Sequence, residues 1–396
     1  MLIGCLRGIV AHLAVCSTYR GTAMSDAGTE QRVVWSELFI DLIWVFAIAQ
    51  LASLLATGNA LALLLLVPVW WGWVSITVYS NAAGQQLDIV AGRLVLFAVA
   101  ACGLGMAVAI PQAFANHGVL FTSAYLALRL VLWLAMRPLR FYDSKADPFT
   151  VGLFVAAPLF LIGGFLPLIP RITLWVLASI VEIASPVLLR KSTATFETAH
   201  LPERFGLFII IAIGETVVAL GSQLSNTDVT AGALGLMALA FVFICALWWT
   251  YFHFGASAMH HSLRTTKLQG RIVRQVFAYA HLAYVVGILC VAVGLKKLVL
   301  HPLDAPHSMP ELLLAPGVAI FIGGFAYSRW RMFGAPTLFR SAATAACVVI
   351  ALVAPLLPQV VTAVLCALVL IALNALEYFW VTTERPLLLV WQPTNP

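Results

Sequence analysis

Twelve runs of mostly apolar residues, separated by short polar turns, constrain this chain more than any other feature. They lie at approximately 38–56, 60–79, 93–114, 118–136, 150–169, 171–190, 205–222, 232–253, 273–295, 311–328, 340–357 and 361–382. A run of about 20 such residues is the length of a helix that crosses a bilayer. Only helices and closed barrels satisfy every backbone N–H and C=O in hydrocarbon. The chain therefore reads as an all-α polytopic integral membrane protein with about 12 transmembrane helices. Composition agrees, since 62% of the 396 residues are hydrophobic and 10% are charged, whereas a soluble domain is about 25% charged. No polar stretch exceeds roughly 25 residues, short of the ~50 that a separate domain needs.

The positive charges give an orientation. With the N-terminus in the cytoplasm, 18 of the 22 Lys and Arg residues fall on the cytoplasmic side. Three, Arg171, Lys296 and Lys297, fall on the other, and Arg129 lies within the fourth run. Such a bias places both termini in the cytoplasm. The net charge of +6 comes from these short loops and excludes a nucleic-acid partner. Residues 1–23 read as a non-native extension, with Met24 the true start.

Helices one and seven both open with Glu followed by Phe two residues on. Trp70-Trp71-Gly72-Trp73 in helix two has a counterpart in Trp248-Trp249-Thr250-Tyr251 of helix eight, and helices six and twelve each hold one acid, Glu182 and Glu377. Six helices per half is an even number, so the halves would share one orientation. The expectation is two parallel six-helix repeats, 24–200 and 201–396, related by an axis along the membrane normal.

Ionisable groups inside a bilayer are expensive, which makes them functional suspects. Glu37 and Asp41 share a helix face by their i, i+4 spacing. Two like charges so close need a shared proton or a guanidinium, and Arg93 and Arg129 are the partners expected. At 1.5 Å per residue, Arg129, Glu182 and Glu377 each lie about 12 Å from a cytoplasmic Arg, His281 about 10 Å and Glu215 about 16 Å. That arithmetic predicts a polar layer in the inner half of the bilayer. Arg204 and Glu215, three turns apart, are expected to share a face, with Glu203 pointing elsewhere.

Other motifs are bland. The glycines Gly103-x-Gly105 and Gly163-Gly164 read as close helix packing. Asn81, Gln85 and Gln86 read as an ordinary polar loop. His253, His260 and His261 read as a solvated basic region, and no metal or cofactor site is assigned. The seven cysteines form no C-x-x-C. There is no phosphate-binding glycine loop, no G-x-S-x-G and no H-E-x-x-H.

The chain resembles the bacterial low temperature requirement protein A family. The resemblance rests on W-S-E-L-F-I-D-L (35–42), R-L-V-L-F (93–97), P-Q-A-F (111–114) and A-Y-L-A-L-R (124–129). It continues in H-L-P-E-R-F-G-L-F-I-I-I-A-I-G-E (200–215), W-W-T-Y-F (248–252) and Y-A-H-L (279–282), and covers roughly residues 32–385. It implies a multi-pass protein of the bacterial inner membrane with a role in growth in the cold. The family name reports a phenotype, so no substrate follows from it.

The doubled layout and the buried acids favour a proton- or ion-coupled secondary transporter. Its site would draw on Glu37, Asp41, Arg93, Arg129, Glu182, Glu203, Arg204, Glu215, His281 and Glu377. Protonation of Glu215, or of the Glu37/Asp41 pair, would be coupled to rocking of the halves. Two alternatives stand beside it: a sensor or assembly factor that feels bilayer thickness, and a membrane-embedded lipid-modifying enzyme, for which no nucleophile–base set can be read. The expected partners are the lipid bilayer and a small molecule or ion. The oligomeric state is open.

Overall fold

The computed structural model describes residues 34–139, 141–142, 147–189, 196–224, 230–384 and 388–390. The extension at 1–23 lies outside them. Among the described residues there are twelve helical segments and no strand. They are α1 (Trp35–Ala56), α2 (Ala62–Ala83), α3 (Val90–Ala109), α4 (Gly118–Met136), α5 (Pro148–Gly164), α6 (Leu168–Leu188), α7 (His200–Leu224), α8 (Ala231–Thr265), α9 (Gln269–Leu300), α10 (Leu314–Phe333), α11 (Leu338–Val353) and α12 (Gln359–Thr382).

Each apolar run of the sequence coincides with one of these helices. Ten are long and apolar enough to cross a membrane. α5 is shorter, and α10 has 20 residues but ends in Arg329 and Arg331. The protein is an all-α, multi-pass membrane protein. Its helices keep many large apolar side chains on the outside, such as Phe154, Ile169, Phe241, Leu352 and Phe379. That pattern suits a solvent that is itself apolar.

Local chemistry sets the helix ends. The Asp147 carboxylate opens α5 by accepting the backbone N–H groups of Phe149 at 2.8 Å and Thr150 at 2.9 Å. The Thr230 hydroxyl accepts from the Ala233 N–H at the start of α8. Gly334 closes α10 in the left-handed region at φ 84°, which glycine adopts without a Cβ clash.

The chain divides into two compact units. The first holds the described residues of 1–51, 61–204 and 269–271, and the second 52–60, 205–268 and 272–396. In the first unit α3 packs on α4, and α5 on α4 and α6. Gly103 faces the Trp44 indole so closely that an added Cβ would stand 2.4 Å from it. Gly163 meets the Trp175 ring and Gly164 the Thr122 hydroxyl in the same manner, as expected of small residues at membrane helix contacts. In the second unit α9, α10 and α11 pack in sequence and α8 rests on α12. Gly287 of α9 and Gly317 of α10 bring those two backbones together.

Three π-turns interrupt α5 at Gly152–Ala156, α8 at Thr250–Gly255 and α9 at Val273–Ala280. Each widens the helix by one residue and shifts its hydrogen-bond ladder, a device common at functional positions. Each also adjoins one of the buried polar groups described next.

Candidate functional site: buried charge clusters

The first unit contains a fully buried cluster of four ionisable side chains. Glu37 and Asp41, one turn apart on α1, meet His200 and Arg204, one turn apart on α7. All four are 0% exposed. Arg204 grips Asp41 as a fork, with Nη1 donating to Oδ2 at 2.6 Å and Nη2 to Oδ1 at 3.0 Å. The Trp73 indole N–H donates to Oδ1 of the same carboxylate at 2.9 Å. Glu37 Oε2 accepts the Val34 backbone N–H and lies 3.1 Å from His200 Nε2.

The hydrogen bonds assign the histidine tautomer. Asn81 Oδ1 accepts the Glu197 N–H at 3.1 Å, so its Nδ2 is the donor end. That Nδ2 donates to the Glu197 carbonyl at 3.2 Å and faces His200 Nδ1 at 3.4 Å. Nδ1 is therefore the acceptor. The ring proton sits on Nε2 and is donated to Glu37. With a neutral imidazole the cluster carries two carboxylates and one guanidinium. One more proton makes it neutral. Glu37 Oε1 and Arg204 Nε face each other at 3.5 Å, and neither makes a hydrogen bond within the described residues.

A second cluster in this unit is balanced. Arg129 of α4 pairs with Glu182 of α6 and donates to the Ser75 hydroxyl at 2.7 Å. The Tyr125 hydroxyl donates to the other Glu182 oxygen. Gly152 makes room for this guanidinium, because a Cβ there would fall 1.9 Å from Arg129 Nη2. One cation, one anion and a phenol leave no net charge, as in a structural clamp. Arg171 is likewise structural. Its nitrogens donate to the carbonyls of Ala113, Ala115, Gly164 and Leu166, tying together the ends of α3, α5 and α6.

In the second unit His281 is 0% exposed at the end of the α9 π-turn. Its Nδ1 donates to the Val276 carbonyl at 2.9 Å, because a carbonyl can only accept. Nε2 therefore accepts from the Tyr251 hydroxyl at 2.8 Å. Phe205, Phe277 and Tyr284 rings surround the imidazole. Glu377 of α12 is held by Arg340 of α11 through two hydrogen bonds of 2.6 and 2.8 Å.

Several expectations need correction. Arg93 is exposed and pairs with neither Glu37 nor Asp41, and Arg129 is committed to Glu182. The partners of the acid pair are Arg204 and His200. Asn81 is no loop residue: it is buried within α2 and orients His200. Arg340, at the start of α11, is buried against Glu377.

Arg204 is buried, and Glu215, about three turns further along the same helix, is half-buried. The opposite charge acting on Glu215 is Lys296, near the last turn of α9. Glu203 is exposed in the first turn of α7, where an acid suits the helix dipole. His253 stacks on Trp249 with ring centroids 4.5 Å apart, beside Phe254 and Tyr378.

The family model described as "Bacterial low temperature requirement A protein (LtrA)" matches residues 32–375. An uncharacterized protein of Rhizobium meliloti (strain 1021) is 28% identical over 344 residues, covering 79% of this chain and 83% of that protein. No solved structure matches. The matched region runs from just before the Glu37/Asp41 helix to within two residues of Glu377 and takes in both buried acid–base clusters of the first unit, so the chain belongs to the bacterial low temperature requirement A (LtrA) family.

Proposed function

We propose that this protein is a proton-coupled secondary transporter of the bacterial cytoplasmic membrane, with both termini in the cytoplasm. Its proton-binding element is the Glu37–Asp41–His200–Arg204 cluster. The observation that carries this reading is the charge count of that cluster. Two carboxylates and one guanidinium are sealed from solvent with a neutral imidazole whose one proton points at Glu37. A buried net charge is costly. Uptake of one proton by the imidazole would cancel the surplus charge.

Protonation would convert a neutral His200–Glu37 hydrogen bond into an ion pair. Glu37 would then be held by a second cation, and Arg204 would be left to Asp41. The loose contact between Glu37 Oε1 and Arg204 Nε is the place where such a rearrangement starts. His200 and Arg204 stand at the head of α7, so the cluster's charge state bears directly on the entry of that helix.

The reading includes an internal parallel repeat. Its support is that the hydrogen bonds His200–Glu37 and Arg204–Asp41 between α7 and α1 both join residues 163 positions apart. A constant offset over one turn means that these two helix starts run in the same direction, as equivalent first helices of two parallel repeats do.

The test is proton movement into proteoliposomes containing the purified full-length protein, followed with a trapped pH indicator under an imposed voltage. Wild type is compared with Glu37→Gln and with the exposed control Glu203→Gln. Flux in wild type and in the control, lost in Glu37→Gln, supports the proposal. Flux that survives in Glu37→Gln, or its absence from wild type under both signs of voltage, overturns it.

A further inference from the structure

The second unit contains a cavity, mostly apolar with a few charged and polar side chains, that the proton-binding reading does not use. It lies where α10 ends and α11 begins, beside the last turns of α12, and has a volume of about 250 Å³. Roughly eight waters would fill such a space. Much of its wall is aromatic or aliphatic, including Phe333, Phe339, Trp380 and Leu388. Leu388 is fixed there by the backbone, since the Leu338 N–H donates to its carbonyl at 2.8 Å and the Val390 N–H donates to Pro336.

The charges facing this cavity do not balance. Arg329 and Arg340 both line it, with Glu377 the one carboxylate among the lining residues. Glu377 is consumed by the forked pair with Arg340, and the Arg340 guanidinium also lies 4.6 Å from the Phe325 ring centroid. Arg329 has no anionic hydrogen-bond partner among the described residues. Its guanidinium stands 5.0 Å from the Phe333 ring centroid, and its buried Nε makes no hydrogen bond. Thr337 Oγ1, on the same cavity wall, is also buried and without a partner. Buried polar atoms left unsatisfied ask for an explanation, and an absent ligand is one.

We propose that this cavity binds an anionic amphiphile, with a carboxylate or phosphate head on Arg329 and Thr337 and an apolar portion against Phe333, Phe339 and Trp380. A guanidinium is the side chain best shaped for either head group. A mostly apolar wall with a few convergent polar atoms is the usual make-up of a small-molecule site. A free inorganic anion would leave the aromatic wall unused, whereas an amphiphile that partitions into the bilayer matches both parts. This inference does not rest on the proton-coupled reading, and either can fail alone.

The test is equilibrium binding of radiolabelled oleate and of radiolabelled lysophosphatidate to the purified full chain in phosphatidylcholine nanodiscs. The variants are Arg329→Gln, Thr337→Val and Arg331→Gln. The last is a control on the same helix, whose Nε donates to Gln275. The expected result is saturable binding of one or both probes, weakened at least tenfold by Arg329→Gln, several-fold by Thr337→Val, and not at all by Arg331→Gln. Whichever probe binds more tightly identifies the head group. Displacement by millimolar inorganic phosphate alone, equal losses in both Arg variants, or undiminished binding in a monodisperse Arg329→Gln protein overturns the proposal. A photoactivatable fatty acid on wild type gives a reading that no variant's folding affects. Labelling of the segments around Phe333–Phe339 and Trp380 is expected, and labelling elsewhere contradicts the site.

Discussion

His200 donates its Nε2 proton to Glu37 across 3.1 Å, and four residues along each helix Arg204 grips Asp41. The two contacts have the same sequence offset, so the i, i+4 acid pair of α1 meets an i, i+4 basic pair of α7 rung for rung. Both rungs are sealed from solvent. One is a committed ion pair with three hydrogen bonds to the carboxylate, and the other is a neutral imidazole on a carboxylate. The first has the character of an anchor and the second is the looser contact.

Arg204→Gln alone leaves two buried carboxylates without their guanidinium, expected to cost about 3–5 kcal/mol, whereas Asp41→Asn breaks the fork but leaves Arg204 beside Glu37. The double variant removes both charges and is expected to recover a large part of that loss. Thermal unfolding of the four proteins in one detergent checks this. A double variant as unstable as the sum of the single changes would contradict the anchor role.

Gly152→Ala is expected to behave as a partial loss of Arg129. The new methyl group would occupy the place where Arg129 Nη2 now lies, forcing the guanidinium off Glu182. Stability should fall in Gly152→Ala, and the same glycine change should cost much less in an Arg129→Gln background. Equal costs in both backgrounds would show that the clash is relieved elsewhere.

Tyr251→Phe removes the one donor to His281 Nε2 while leaving the ring packing intact. A buried acceptor left without a partner costs about 1–3 kcal/mol. The loss is expected in thermal stability. No loss would mean that another donor reaches Nε2.

Much of the architecture was legible in the sequence because bilayer solvation imposes a length and an apolar run on each helix. The twelve runs coincide with the twelve helical segments to within a few residues at most ends. The close-packing glycines, Gly103 among them, were readable because small residues in apolar helices mark contacts. The shared face of Glu37 and Asp41 followed from helical periodicity.

Their partners did not follow, because a helical period says which residues share a face and not which helix that face meets. Arg204 and His200 lie 163 residues from their acids. One signal was available: two basic residues at the spacing of the two acids, at the head of another apolar helix. For Arg171 and Arg340, at the first residues of two apolar runs, position along the chain assigns a side of the membrane and no partner. In the structure one folds back onto carbonyls and the other onto a carboxylate.

The most direct measurement is a pH titration of the full-length protein labelled with ¹⁵N-histidine, in lipid, with the His200 signals identified by comparison with His200→Asn. The account predicts one neutral tautomer at high pH, protonated on Nε2 and bare on Nδ1, and a doubly protonated ring at low pH. A His200 ring that keeps one protonation state across the whole range, or that carries its neutral proton on Nδ1, would contradict the assignment of this cluster as the proton-binding element.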